Sequence, residues 1–340
     1  AASKSPLRMK KDNHILTIIA LMLLVCIIML ILKPGSYFTV LNVRSMIFQF
    51  PEYGVLALGM MACMIAGGID LSLVGIMNLS GVLAALIVKN MVLIEGGEVA
   101  NPAMVVPAIV LACVVAVVVG AACGAFNGFI IGYFGLPAML VTLCGLQLYT
   151  GLAYGITGGP AINGMCDAFK NIANGTVAGI PYVLFIFIAV VAVVVFIMKC
   201  TVFGHEIYFL GSNAQAAMYS GINTLKVTIM TYMFSGILGG ISGILITSHL
   251  NSAKSSNGST YTLLSLLIVV LGGVHPDGGK GRVAGVVLAV LLLQMIANAF
   301  GLMHMSDNAK TFANGCLLIA ALVLSVVLEK REAQKAAAAS

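Results

Sequence analysis

Long uninterrupted apolar runs, not alternating ones, organise this chain. They cover Ile15 to Leu32, Ile47 to Ala66, Leu71 to Val88, Val105 to Ile131, Pro137 to Ile156, Ile180 to Met198, Val227 to Thr247, Thr260 to Leu271, Val283 to Phe300 and Phe312 to Leu328. Continuous runs of this length predict helices that cross a bilayer, whose hydrocarbon core of about 30 Å takes roughly 20 residues. Thr260 to Leu271 is short for a full span and reads as a broken or partly re-entrant helix.

Composition agrees with that pattern. Hydrophobic residues make up 61% of the chain and charged residues 8%, with a mean hydropathy of +1.10, which excludes an ordinary soluble domain. In lipid every backbone N–H and C=O needs a partner within the protein, so the expected fold is all-α, a polytopic bundle of about ten transmembrane helices. A basic leader, Lys4 to Lys11, precedes the first run, but Lys33-Pro34-Gly35 and a second long run follow it, so that helix reads as retained. The chain divides into a tail at 1–13, one membrane domain at 14–328 and a tail at 329–340, whose Ala-Ala-Ala-Ala-Ser end is low-complexity. With the amino-terminus inside, 11 of the 17 Lys and Arg residues fall on the inner side. The positive-inside rule then gives N-in and C-in, and the net charge of +6 is an anchoring excess that needs no nucleic acid.

One polar interruption stands apart. Gly211 to Asn223, GSNAQAAMYSGIN, is a small-residue segment between apolar runs, placed in the cytoplasm by this topology and suited to docking a soluble partner. Asn213 is suited to cap a short helix, Ala214, Ala216 and Ala217 favour one, and Gly221 can end it. Two turns alone are marginal in water, so a partner should help to order them.

Glycine spacing predicts packing. Gly120, Gly124, Gly128 and Gly132 recur every fourth residue in the fourth helix, and Gly236, Gly239, Gly240 and Gly243 form a second stripe in the seventh, so neighbouring backbones can approach closely. Polar residues at membrane depth are costly and are the pathway candidates: Asp70, Asn78, Asn127, Gln147, Gln294 and Asn298, with Asn314 beyond them. Asp70 or Ser72 is also placed to cap the helix that follows Gly67-Gly68, and Asn127 to bond between helices. Gln294 and Asn298, four apart, share a face that either lines a passage or packs. No His, Asp or Glu chain is seen to cross the membrane, which argues against proton coupling.

Other motifs carry less. Eight cysteines lie mostly in apolar runs, with no evident pair, and His249 and His304 sit apart at outer edges, so no metal site is expected. The loop Gly272 to Arg282 is glycine-rich but fails the phosphate-loop register: Gly279-Lys280 is followed by Gly281, and Val274 stands where the first glycine belongs. Gly67-Gly68 with Gly81-Val82-Leu83 is echoed by Gly272-Gly273 with Gly285 to Leu288, a faint sign of two related halves.

Four separated segments, in order, carry a family resemblance: GGIDLSLVGIMNLSGVLAAL from Gly67, NGFIIGYFGLPAMLVTLCGLQLYTGLAYGITGGPAING from Asn127, FGHEIYFLGSNAQAAMYSGIN from Phe203 and VVLGGVHPDGGKGRVAG from Val269. Over Ile15 to Leu328 the chain resembles a permease subunit of the bacterial ribose and galactoside class of ABC importers, related also to branched-chain amino-acid permeases. The resemblance implies a non-catalytic subunit of the cytoplasmic membrane, paired with a second permease, a cytoplasmic ATPase that uses ATP and Mg, and an extracytoplasmic sugar-binding protein. It makes Gly211, Ser212, Asn213, Ala214, Ala216, Ala217, Ser220 and Gly221, within 204–223, the ATPase-coupling surface. A stand-alone secondary transporter or channel accounts equally well for the helices and glycines, but not for the four segments.

Overall fold

The computed structural model describes residues 13–92, 102–306, 308–310, 312–319 and 323. Nine of the ten apolar runs are helices: α1 (Asn13–Leu32), α2 (Val40–Ile65), α3 (Leu73–Val92), α4 (Val105–Phe134), α5 (Ala138–Thr157), α7 (Tyr182–Cys200), α10 (Thr224–Leu250), α11 (Tyr261–Leu271) and α12 (Val283–Leu302). All but α11 are long and apolar enough to cross a membrane; α11 has 11 residues. The run Phe312 to Leu328 lies in part outside the described residues, as do the tails.

Three shorter helices are not separated by hydropathy. These are α6 (Asp167–Asn174), α8 (Val202–Ser212) and α9 (Ala214–Tyr219). Two small antiparallel strand pairs, β1 (Ile162–Asn163) with β4 (Ser252–Ala253) and β2 (Thr176–Val177) with β3 (Ile180–Pro181), fasten loops at one end of the bundle. Several helices begin before their apolar run because a polar side chain caps them. Thr39 Oγ1 accepts from Asn42 N at 3.2 Å ahead of α2, and Asn223 Oδ1 accepts from Lys226 N at 3.0 Å ahead of α10.

The two glycine stripes meet each other. A Cβ at Gly120 would overlap the Gly236 carbonyl, one at Gly124 the Tyr232 carbonyl, and one at Gly128 would lie 2.7 Å from Ile229 Cα. In return Gly240 lies on the Ala116 carbonyl, while Gly243 turns to α3 and lies on the Met77 carbonyl. Lipid tails are as apolar as side chains, so helices here associate through close van der Waals contact, which backbone-to-backbone approach maximises. Around this seam α2 is buried without a break from Phe50 to Ile65 and packs on α10, α11 and α12. By contrast α1 touches chiefly α12 and leaves most of its surface open. Gly151 and Gly155 of α5 likewise face open space, with room for a side chain at each.

The bundle therefore has two distinct ends. One carries the turn between α2 and α3, α8, α9 and the loop 272–282; the other carries α6 and the paired strands. Substituting Gly124→Val should lower the unfolding midpoint in detergent by the equivalent of about 1–3 kcal/mol or more, since neither backbone can yield. Gly301→Val, in open space at the end of α12, should stay within about 0.5 kcal/mol. Thermal melts of the two variants compare them directly, and equal losses would refute the seam.

Candidate functional site

The end of the bundle that carries the candidate coupling segment is built from three chain segments in backbone contact. Gly211, in the last turn of α8, lies against the Ile65 carbonyl at the end of α2, where any side chain would collide. The same carbonyl accepts from Gly279 N at 2.8 Å, and Gly278 abuts Gly67. Tyr208 of α8 donates its hydroxyl to Gly281 O at 2.9 Å, and partial burial raises its phenol above the ordinary range against the opposing charge of Arg282. Thus α8 is keyed to both the α2–α3 turn and the α11–α12 loop.

Those two turns share a design. Gly68 N bonds Cys63 O and Val274 N bonds Val269 O, each six-residue closure passing a left-handed glycine, Gly67 at φ 91° and Gly273 at φ 81°. The faint sequence echo thus falls on a repeated helix ending but in a register shifted by one residue, with Gly67 matching Gly273 and not Gly272.

Helix α9 stands just outside this joint. Asn213 Oδ1 accepts from Ala216 N at 2.9 Å at its start, and at its end Ile222 N bonds Ala217 O at 3.1 Å past Gly221, whose φ is 83°. Of the proposed surface residues, Ser212, Asn213, Ala214, Ala216, Ser220 and Gly221 are exposed and Gly211 is half-buried. Ala217 is fully buried and faces the bundle. The side chains that project are Met218, 56% exposed, and Tyr219, 84% exposed, which sequence reasoning passes over. Their signal is nonetheless present: a bulky pair in an otherwise small-residue, polar segment.

A chain of buried polar side chains runs inward from the joint. Ser235 of α10 donates to Asp70 Oδ2 at 2.8 Å, and Asp70 Oδ1 accepts from both the amide (3.1 Å) and hydroxyl (2.5 Å) of Ser72. Asn127 of α4 donates to Ser72 Oγ at 2.8 Å, and Tyr149 of α5 donates to Asn127 Oδ1 at 2.8 Å. Asp70 is wholly buried; its Oδ1 holds Ser72 at the start of α3, the capping role open to it from sequence, and its Oδ2 joins that turn to α10. Asn127 sits where α4, α3 and α5 meet, and it also borders a cleft of about 470 Å³ between α4 and α5 lined chiefly by apolar side chains.

The remaining pathway candidates lie elsewhere. Asn298 and Asn42 exchange amide bonds, each 2.9 Å, and Gln294 accepts from Tyr53 and donates to Gln49 at 3.3 Å, so this face of α12 packs on α2. Asn78 donates to Ser255 O at 2.8 Å and its Oδ1 is unpartnered. Gln147 differs from all of these: it is exposed, halfway along α5, with no side-chain hydrogen bond among the described residues.

Sequence reasoning misses Glu52. It lies in the buried stretch of α2 and contacts His249; the Phe-Pro-Glu-Tyr-Gly interruption of an apolar run is the available signal. Among the described residues no group of three His, Cys, Asp or Glu side chains could hold a metal ion.

Comparison with known proteins gives these features a setting. Residues 42–322 match the family described as branched-chain amino acid transport system / permease component. The chain is 32% identical over 309 residues to the ribose import permease protein RbsC of Haemophilus influenzae, covering 90% of each. It is 26% identical over 315 residues to the L-arabinose transport system permease protein AraH of Escherichia coli, covering 93% of this chain and 90% of that one. It is 30% identical over 292 residues to the autoinducer 2 import system permease protein LsrD of Photorhabdus temperata, covering 83% of each. No solved structure matches the chain. A helical membrane bundle matched over most of its length by one family settles the assignment: the chain belongs to the branched-chain amino acid transport system / permease component family and is a multi-pass membrane permease.

Proposed function

We propose that the chain is the translocating subunit of an ATP-driven, binding-protein-dependent importer of the bacterial cytoplasmic membrane, carrying a simple sugar or similar uncharged polyol by alternating access. The observation that carries this reading is α9. It is capped at both ends by its own residues and presents Met218 and Tyr219 outward at the end of the bundle to which the topology assigns Lys199, Lys226 and Lys280. An aromatic and a thioether side chain held out from the bundle, with no lipid to face, suit insertion into an apolar groove of a cytoplasmic ATPase. ATP hydrolysis belongs to that partner, and this chain is non-catalytic.

A second copy of the permease is placed against α5. An amide left facing hydrocarbon is costly, so the Gln147 face meets water or protein rather than lipid. Gly151 and Gly155, four and eight residues beyond Gln147, leave a low surface for a partner to approach. The passage then runs between copies with Gln147 in it, and amides and hydroxyls there suit a neutral solute that needs hydrogen bonds and no counter-charge. Relatives named for import of ribose, L-arabinose and autoinducer 2 support this class of cargo. An extracytoplasmic binding protein docks at the opposite end, on loops that include 158–179.

Deleting Asn213 to Ser220 should abolish co-purification of the ATPase while membrane insertion persists. Tyr219→Ala alone should weaken association by about 2 kcal/mol or more, roughly thirtyfold, whereas Asp167→Ala, exposed at the opposite end, should leave it within about 0.5 kcal/mol. Full retention of the ATPase by the deletion would sink the reading and favour a stand-alone transporter. For the passage, Gln147→Cys in a background with Cys144, Cys200 and Cys316 replaced by Ala should react with a membrane-impermeant thiol reagent. Val118→Cys, exposed toward lipid on α4, should not; equal inertness of the two would remove Gln147 from the pathway.

A further inference from the structure

Beside α9, at the same end of the bundle, the loop 272–282 is held more firmly than a connection between two helices requires. Its backbone closes on itself through His275 N to Lys280 O at 3.0 Å, and Asp277 N donates to His275 Nδ1 at 3.1 Å. It is also pinned to two other elements: Gly279 N donates to Ile65 O at the end of α2, and the Tyr208 hydroxyl of α8 donates to Gly281 O. Gly279 takes a left-handed φ of 71° and passes so close to Ser212 that a Cβ there would lie 2.5 Å from its Oγ. Ser212 directly precedes Asn213, the cap of α9, so the loop and the start of that helix are neighbours. From this fixed backbone Asp277, Lys280 and Arg282 are exposed, and Arg282 is close enough to Tyr208 to act on its phenol.

We propose that this loop is a second docking element for the ATPase, with Lys280 and Arg282 meeting carboxylates on the rim of the groove that receives Met218 and Tyr219. This role presupposes that α9 seats the ATPase, as proposed above, and adds how the same partner is held beside it. A cationic loop at an inner membrane surface is ordinarily an anchor for topology or for anionic lipid, and an anchor needs only charge. Here the backbone that carries the charge is fixed as well: the bonds to Ile65 and Tyr208 and the contact with Ser212 hold it in one position relative to α9. Pre-positioned charge serves recognition of one partner surface, whereas attraction to headgroups does not require it. The charge balance favours an acidic partner. At the surface of this end, among the described residues, Lys199, Lys226, Lys280 and Arg282 stand against Glu206 and Asp277, so cationic side chains outnumber anionic ones.

The two elements divide the work by their chemistry. Met218 and Tyr219 supply buried apolar area, which sets how long a complex lasts. Rim charge instead speeds and orients encounter, and salt screens it over about 8 Å at physiological ionic strength. The loop also widens what the partner can move. It is bonded to α2 and α8 and it joins α11 to α12, so a partner that grips both α9 and the loop acts on α10 and on the α11–α12 pair together.

The test follows binding of the ATPase that co-purifies with the wild-type permease to full-length permease in phosphatidylcholine nanodiscs, over a series of salt concentrations. Lys280→Glu should slow association by up to about tenfold at low salt and flatten its dependence on salt, with dissociation little changed. Lys280→Arg should keep the wild-type rate. Tyr219→Ala should do the reverse of Lys280→Glu, speeding dissociation and leaving the salt dependence as in wild type. Lys199→Glu, exposed beyond the other end of α8, makes the same change in net charge and should slow association less. Equal effects of Lys280→Glu and Lys199→Glu would overturn the docking role. So would a salt dependence that Lys280→Glu leaves unchanged in these neutral discs, and a change that appears only once anionic lipid is added would assign the charge to headgroups. If deleting Asn213 to Ser220 abolishes binding while Lys280→Glu behaves as wild type, the loop falls and the coupling role of α9 stands; if the deletion retains the ATPase, both fall.

Discussion

Backbone contact between α4 and α10 is the constraint on which the rest of the structure depends. Within a membrane the exclusion of water does not drive helices together, so a bundle must rely on packing density and polar bonds. The Gly120, Gly124 and Gly128 face of α4 meets Gly236 and the Tyr232 carbonyl with no side chain between them. That approach fixes the axis of α10, and α10 is the element shared by the coupling end, the polar chain and the contact of His249 with Glu52. Its start follows α9 by four residues, its middle supplies Ser235 to Asp70, and its end supplies His249 to Glu52.

A rigid α10 makes the polar chains intelligible. Asp70, Ser72, Asn127 and Tyr149 join the α2–α3 turn to α4 and α5, so the helix that bears Gln147 is connected, bond by bond, to the helix that leaves the coupling segment. Gly211 against Ile65 completes the connection from the other direction, since α8 cannot shift without pressing on the end of α2. Motion applied at α9 thus has two routes into the bundle: along α10, and through the α2–α3 turn. Packed interfaces of this kind move between discrete arrangements rather than deforming smoothly, which suits alternation between two openings.

Much of this is legible in the chain alone. Run length and continuity identify nine helices, because the bilayer imposes a length, and the spacing of Gly120 to Gly132 identifies a packing face, because only small residues permit that approach. Asn213 and Gly221 are recognisable as caps from local chemistry. What one dimension hides is pairing. Nothing in the spacing says that the stripe in α4 meets the stripe in α10, that Asn127 reaches Ser72, or that Gln294 and Asn298 bond to α2. Glu52 escapes notice because one carboxylate barely lowers the mean hydropathy of a 26-residue helix, although its cost at that depth makes it conspicuous once partners are known. Met218 and Tyr219 escape it for the opposite reason: apolar residues in a membrane protein attract no attention until their surroundings are known to be water.

The central claim is that force enters this permease at α9. Placing the photoreactive analogue p-benzoylphenylalanine singly at Ala217, Met218 and Tyr219, and irradiating membranes that contain the assembled transporter, measures that contact most directly. Strong cross-links to the ATPase from positions 218 and 219, with little from the buried position 217, are the expected result. Cross-links absent from all three, or captured instead from the loops at the opposite end, would contradict it.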